Sequence, residues 1–359
     1  VASDVVEMFS SLHGGDLISS TADKLNKEFT PMSLSRAKEL AFEKVKGLWV
    51  AIPTPFTDDL EIDESGIRRS VDYYVDGLGV DGIFCGGVMG EFWSMTIDER
   101  RKVHELVADA AGGRIPLMAQ TSSHVFEECV ALSNHAEEIG MDLAIVMNPY
   151  FPPRPSDDLV RAWYRALDER TSIPTFLFNT SYSGYVIAPE LISELADLDS
   201  ICGIKNPKPR DHLMKVYELC ADRIVVCDAA EDDWLELHLD HGFQALMSTP
   251  ALAMFQTPAD RPIQRYTELA DAGQVDEAWQ VHGTLDPHRQ AFQKWMRDPW
   301  LLNMAGAVPD AELKAWLGLM GLPQGPVRLP LLPLSSERLD DLTADLEMLG
   351  LLGSIEAVA

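Results

Sequence analysis

The chain has 359 residues, 57 of them acidic against 29 basic, for a formal net charge of −28. A surface this acidic repels nucleic acid and anionic lipid, so neither is an expected partner. No stretch approaches the roughly twenty uninterrupted apolar residues of a membrane span, and the N-terminus lacks the basic flank and apolar core of a signal peptide. The expected setting is therefore cytoplasmic. The five scattered cysteines, none in a C-x-x-C pair, are read as reduced thiols.

In chain order, residues 1–46 carry helical stretches such as "SLSRAKELAFEKVK" and are expected to form an N-terminal arm. From residue 47 onward, short apolar segments alternate with longer amphipathic ones. Strands are predicted at 48–56, 82–87, 115–121, 142–148, 173–179, 201–205, 223–228 and 243–249. Helical patterns lie between them, including "SMTIDERRKVHELVADAAG" and "VFEECVALSNHAEEIG", the second closed by Gly140 where a capping glycine belongs. Eight βα units with strands apolar on both faces fit a parallel sheet closed on itself, a (β/α)₈ TIM barrel over 47–258. A doubly wound open sheet is disfavoured, because "IPTPFTDD" stands where G-x-G-x-x-G would follow the first strand. Residues 259–359 read as further helices completing and packing on the barrel. Within them the proline-rich "GLPQGPVRLPLLPL" (321–334) is expected to lie along a surface.

Active sites of such barrels lie at the carboxyl ends of the strands, so the residues closing each strand are the first candidates. The sixth strand, "ICGIK", ends in Lys205. An ammonium placed beside apolar walls loses its proton more readily, and the neutral amine is a nucleophile toward ketones and aldehydes. The bland alternative is a lysine that reaches back to water. The second strand runs into "GGVMGEF", whose glycines permit a tight turn with backbone N–H groups facing a small anion, or serve turn geometry alone. The fifth ends in "FLFNTSYSGY", which brings Asn179, Ser181 and Tyr182 to the same rim. The acidic run "DAAEDDW" after the seventh strand disfavours phosphorylated substrates. His238 and His241 lack a partner at ligand spacing, so no metal is expected.

Taken together, "GLWVAIPTPFTDD", "GIFCGGVMGE", "MTIDERRKV", "MNPYF", "FLFNTSYSG", "GIKN" and "GPVRLPLLPL" resemble the dihydrodipicolinate synthase / N-acetylneuraminate lyase family of class I aldolases over roughly residues 47–352. The resemblance implies a homo-oligomeric barrel, tetramer or dimer, that needs no cofactor beyond a covalent lysine imine. Lys205 matches the family's imine-forming lysine, which captures pyruvate or another 2-oxo acid. Gly87, Val88 and Met89 match its carboxylate loop, where backbone amides hold the anion.

The departures are specific. Val88 and Met89 replace two threonines of the family pattern, Phe178 replaces the tyrosine that transfers protons, and Phe151 replaces the second tyrosine of Pro-Tyr-Tyr. An arginine that often follows the fifth-strand motif is missing from "NTSYSGY". Phe178, Phe151, Val88, Met89 and Trp93 would make an unusually apolar pocket, suited to a hydrophobic or aromatic substrate arm. Proton transfer must come from another group, among which Tyr182 ranks first, ahead of Tyr185, Tyr150, Glu91 or a water. The expected function is a carbon–carbon lyase or aldolase acting on pyruvate or a longer 2-oxo acid, hydratase-aldolase chemistry included, and not a standard dihydrodipicolinate synthase. A sugar-acid dehydratase and a non-catalytic oxo-acid-binding barrel are the alternatives.

Overall fold

The computed structural model describes residues 34–150, 155–248, 250–298 and 308–355. The chain divides into two compact units, Val1–Leu34 and Ser35–Ala359, and the architecture below belongs to the second. Most of the arm expected over 1–46 lies outside the described residues. Its last part forms helix α1 (Arg36–Lys44), capped by the Ser35 side chain on the Lys38 amide.

Eight strands follow: β1 (Gly47–Ala51), β2 (Gly82–Cys85), β3 (Leu117–Gln120), β4 (Leu143–Met147), β5 (Thr175–Phe178), β6 (Ile201–Lys205), β7 (Val225–Cys227) and β8 (Ala245–Ser248). All paired neighbours are parallel, and the order β7-β6-β5-β4-β3-β2-β1-β8 makes one sheet. A bridge between Asp228 and Leu246, with the Met247 amide donating to the Asp228 carbonyl at 3.0 Å, draws β7 onto β8 and closes the barrel. The strands are shorter than their apolar runs because residues beyond the ladder, such as Phe56, are buried without being paired in it. Burial on both faces is what the sequence pattern predicts for a parallel barrel. Filling the interior sets tight steric limits: a side chain at Gly203 of β6 would come within 2.1 Å of the Phe176 ring. The residue facing that ring must therefore be glycine.

Helices α2 (Glu64–Asp72), α3 (Ile97–Ala111), α4 (Phe126–Glu138), α5 (Asp157–Arg170), α6 (Pro189–Leu195), α7 (Arg210–Cys220) and α8 (Glu231–His241) connect successive strands. Local chemistry sets their ends. Thr96 and Glu99 form a capping box at the start of α3, and Gly112 ends it in the left-handed conformation. After β8 come α9 (Ala251–Met254), α10 (Pro262–Asp271), α11 (Val275–Gly283), α12 (Asp286–Phe292), a π-helical turn (Gln293–Arg297), α13 (Asp310–Met320) and α14 (Ser336–Met348). Helix α1 is fastened beneath the barrel, its Lys38 ammonium donating to the Ala196 carbonyl at 2.7 Å, while Gln244 just before β8 donates to the Val45 carbonyl. All five cysteines are buried and unpaired.

The proline-rich segment divides in two. Leu329 and Leu332 lie exposed as expected, but Leu322, Gln324 and Val327 are buried. The inward half is held by charge. The Arg328 amide donates to Glu91 Oε2 at 2.9 Å, and its guanidinium pairs with Glu99 at 2.7 Å and donates to the Leu60 and Ser94 carbonyls. Lys314 of α13 pairs with Glu91 Oε1 at 2.5 Å in a site where both side chains are almost fully enclosed. Glu91 itself has a left-handed backbone, φ 54°, which costs a non-glycine residue about 1–2 kcal/mol. The C-terminal helices thus pin the turn that follows β2. Asp310 shares this enclosure, with neither carboxyl oxygen hydrogen-bonded among the described residues. Burial, reinforced by the Glu91 charge, pushes its pKa well above the usual carboxylate range.

Lys314→Met should destabilise the fold by about 3–5 kcal/mol, read as a lower denaturant midpoint, because Glu91 is left buried without its counter-ion. Asp310 binds its proton more tightly when folded, so its stabilising contribution is complete at low pH and is lost as pH rises toward its folded pKa. Asp310→Asn should therefore be neutral or stabilising at pH 8 and lose that advantage below pH 4.

Candidate active site

Lys205 is the last residue of β6, aligned with Phe178 of β5 on one side and Cys227 of β7 on the other. The strand carries its side chain to the barrel mouth, yet it is only 1 % exposed. The Nζ atom has no hydrogen-bond partner among the described residues. It lies 5.2 Å from the Phe84 ring centre and 5.4 Å from that of Phe178, and those two rings meet edge to face. Burial lowers the Lys205 pKa from 10.5 to about 8, against the opposing pull of Cys227 and Asp228. Ring faces also attract the ammonium, but such contacts are worth about 0.5–2 kcal/mol, less than the loss of hydration. At pH 7 roughly one amine in ten is then neutral, against about one in three thousand for an ordinary lysine.

Lys205 opens into a cavity of about 260 Å³. Val88, Met89, Phe178, Phe255, Phe292 and Met296 form apolar walls, while Lys208, Asp228, Arg297 and Tyr182 bring polar groups to it. Among the described lining residues, hydroxyls come only from Thr180 and Tyr182. The turn Val88–Gly90 follows β2 directly; the Gly87 carbonyl accepts from the Gly90 and Phe92 amides, and Thr54 Oγ1 donates to the Gly90 carbonyl at 2.8 Å. Gly87 is packed so closely on Phe84 that a Cβ there would meet the ring at 2.7 Å.

Other sequence candidates are placed differently. Asn179 is tied into the scaffold, its amide nitrogen donating to the Ile187 carbonyl and Asn206 Oδ1 and its oxygen accepting from the Ile187 amide. Trp93 packs edge-on against Phe92 and is partly exposed. Phe151 lies outside the described residues. Tyr182 does line the cavity, and burial, aided by the Asp310 charge, pushes its hydroxyl pKa far above the usual phenol value. Tyr185 points to Asp157 on the surface side. His238 is engaged by the Phe243 carbonyl and Asp271.

Two features escaped the sequence reading. The acidic run after β7 is not a solvated patch: Glu231 is bound as a fork by Arg289, Asp232 as a fork by Arg297, and the Tyr266 hydroxyl donates to Glu231. Asp228, at the barrel seam, is 5 % exposed and faces the cavity. Burial raises its pKa from 3.8 to about 7, reduced by the Ala229 and Ala230 amides and reinforced by Asp233 and Asp232. The available signal was its position closing a strand, the same signal that marked Lys205.

Residues 44–349 match the model of the dihydrodipicolinate synthetase family. The chain is 30% identical to a 4-hydroxy-tetrahydrodipicolinate synthase of Pelobacter propionicus across 86% of this chain and 99% of that protein. It is 31% identical to the synthase of Syntrophus aciditrophicus, covering 86% and 99%. Among solved structures, an E. coli K12 prophage protein of the dihydrodipicolinic acid synthase family, crystallised with pyruvate, superposes with a TM-score of 0.74 at 26% identity, covering 85% of this chain and 99% of that one. The 4-hydroxy-tetrahydrodipicolinate synthase of Methylacidiphilum fumariolicum SolV gives 0.73 at 27% identity, covering 86% and 96%. With an enclosed lysine at the end of β6 of a closed (β/α)₈ barrel, and a family match spanning most of its length, this chain belongs to the dihydrodipicolinate synthetase family.

Proposed function

We propose that the protein is a Schiff-base lyase or aldolase that captures pyruvate or a longer 2-oxo acid on Lys205 and makes or breaks the carbon–carbon bond at the adjacent position. The observation that carries this reading is the amine itself, enclosed against two phenylalanine rings with no hydrogen-bond partner among the described residues. An amine at a cavity wall with no hydrogen-bond partner among the described residues has lost hydration, and condensation with a carbonyl converts it into an iminium that draws electrons from the neighbouring carbon. The turn at Val88 and Met89 is proposed to hold the substrate carboxylate through its backbone N–H groups. Tyr182, whose hydroxyl keeps its proton, would act there as a hydrogen-bond donor to the bound acid.

Departure from standard dihydrodipicolinate synthase chemistry is supported by the side chains around the amine. Where the resemblance calls for hydroxyls, Val88, Met89 and Phe178 present carbon. The walls continue outward through Phe255, Phe292 and Met296, which favours an apolar or aromatic substituent on the substrate. The Arg289 and Arg297 guanidiniums, already bound as forks to Glu231 and Asp232, are poorly available to a second substrate carboxylate.

Sodium borohydride added with pyruvate should give a permanent mass increase on the peptide containing Lys205, and Lys205→Ala should abolish it. Lys208 is the internal check, because burial also lowers its pKa to about 8. Adduct on Lys208 alone, or on neither lysine, would contradict the proposal. A second expectation concerns the wall: Phe178→Gln admits water beside the amine and should return the Lys205 pKa toward 10.5. Each unit of that return slows imine capture at pH 7 about tenfold.

A further inference from the structure

We propose that Asp228 is the catalytic acid and base of this site, doing with a carboxyl the proton transfers that the family pattern gives to a tyrosine where Phe178 stands. The inference rests on the Schiff-base reading above and deepens it.

The geometry begins at the barrel seam. The Asp228 backbone forms the bridge that joins β7 to β8, its carbonyl accepting from the Met247 amide at 3.0 Å, so the residue's position is fixed by barrel closure. It is one residue beyond Cys227, the register partner of Lys205 on the adjacent strand. Its side chain and that of Lys205 line the same cavity, and each is at most 5 % exposed. The two groups are close enough for the Asp228 charge to act on the Lys205 pKa.

The titratable and charged groups that line the cavity with this carboxyl are Lys205 from β6, Lys208 from the loop after it, Tyr182 from the loop after β5, Glu231, Asp232 and Asp233 from α8, Arg289 from α12 and Arg297 from the π-helical turn. Arg289 and Arg297 are committed to Glu231 and Asp232. Asp228 is left to share the cavity with the Lys205 and Lys208 amines, while Asp233 and Asp232 of α8 repel its charge. A carboxyl held near pH 7 is matched to giving and taking protons at neutral pH, whereas the Tyr182 phenol, raised far above that range, is not.

The steps balance as follows. The neutral Lys205 amine forms an N–C bond to the substrate carbonyl carbon, and the carbonyl π pair passes to oxygen. A proton moves from nitrogen to that oxygen to give the carbinolamine. The nitrogen lone pair then forms C=N⁺ as the C–O bond breaks, and the departing hydroxyl takes the Asp228 proton and leaves as water. The resulting Asp228 carboxylate removes a proton from the carbon adjacent to the iminium, whose C–H pair becomes the enamine double bond. Asp228 is protonated again, and no oxidant or reductant is used.

The test compares the wild-type chain with Asp228→Asn, which keeps an oxygen for the Ala229 and Ala230 amides. Two quantities are read with pyruvate: borohydride-trapped adduct on Lys205, and deuterium uptake at the pyruvate methyl group by NMR. The wild type should trap and exchange. The variant should still trap, which shows the barrel mouth intact, but exchange 10²- to 10⁴-fold more slowly. The rate of imine formation should be bell-shaped with pH in the wild type, fastest between about 7 and 8, where neutral Lys205 attacks and protonated Asp228 speeds the loss of water, a step that solvent completes more slowly without it. In Asp228→Asn the alkaline fall should vanish, leaving a rise through about 8 to a plateau, a change that a merely structural role would not produce. Exchange by Asp228→Asn within a few-fold of wild type, or exchange lost in Tyr182→Phe but kept in Asp228→Asn, overturns the assignment and leaves the imine reading standing. Trapping without exchange in the wild type does the same, whereas no wild-type adduct overturns both.

Discussion

Closing a parallel sheet into a barrel forces whatever residue ends β6 into the mouth, and in this chain that residue is a lysine. Its neighbours decide what it becomes. With Phe84 and Phe178 packed against it and no hydrogen-bond partner among the described residues, the ammonium loses hydration that the ring faces cannot restore. The free energy of burial appears as a lowered pKa, and a lowered pKa is a supply of nucleophile at neutral pH. The proposed chemistry depends on this one enclosed amine.

Other parts of the molecule hold the surroundings of that amine in place. The turn after β2 carries a left-handed glutamate, Glu91, whose carboxylate is clamped between Lys314 and the Arg328 amide. Both partners come from the C-terminal region. Helices outside the βα repeat thereby stiffen the turn that faces Lys205, which explains why a charged pair is kept where apolar packing would serve stability equally well. Across the cavity, Arg289 and Arg297 are committed to Glu231 and Asp232 of α8, while Asp228 shares the cavity wall with the amine.

The barrel was legible in the sequence because its strands are apolar on both faces and its helices carry their own caps, as at Thr96 and Gly112. Strand ends were overextended because apolar composition continues past the last ladder bond, as at Phe56, which is buried in a loop. Lys205 could be found since a charge closing an apolar strand violates the local pattern. Asp228 broke the same pattern, but the acids that follow it made the run read only as a feature that disfavours phosphorylated substrates. What buries it is nonlocal: the seam with β8, and arginines that reach α8 from 58 and 65 residues further along the chain. Asn179 shows the reverse error, a polar residue at a strand end whose amide is used by the Ile187 backbone and Asn206.

The central claim concerns the protonation of one amine, so it is tested most directly by titrating that amine in the unliganded protein. With ¹³C placed at the lysine ε carbons and the Lys205 signal assigned by its loss in Lys205→Arg, its shift should titrate with a midpoint near pH 8. A midpoint near 10.5, the value of a lysine in water, would contradict the account.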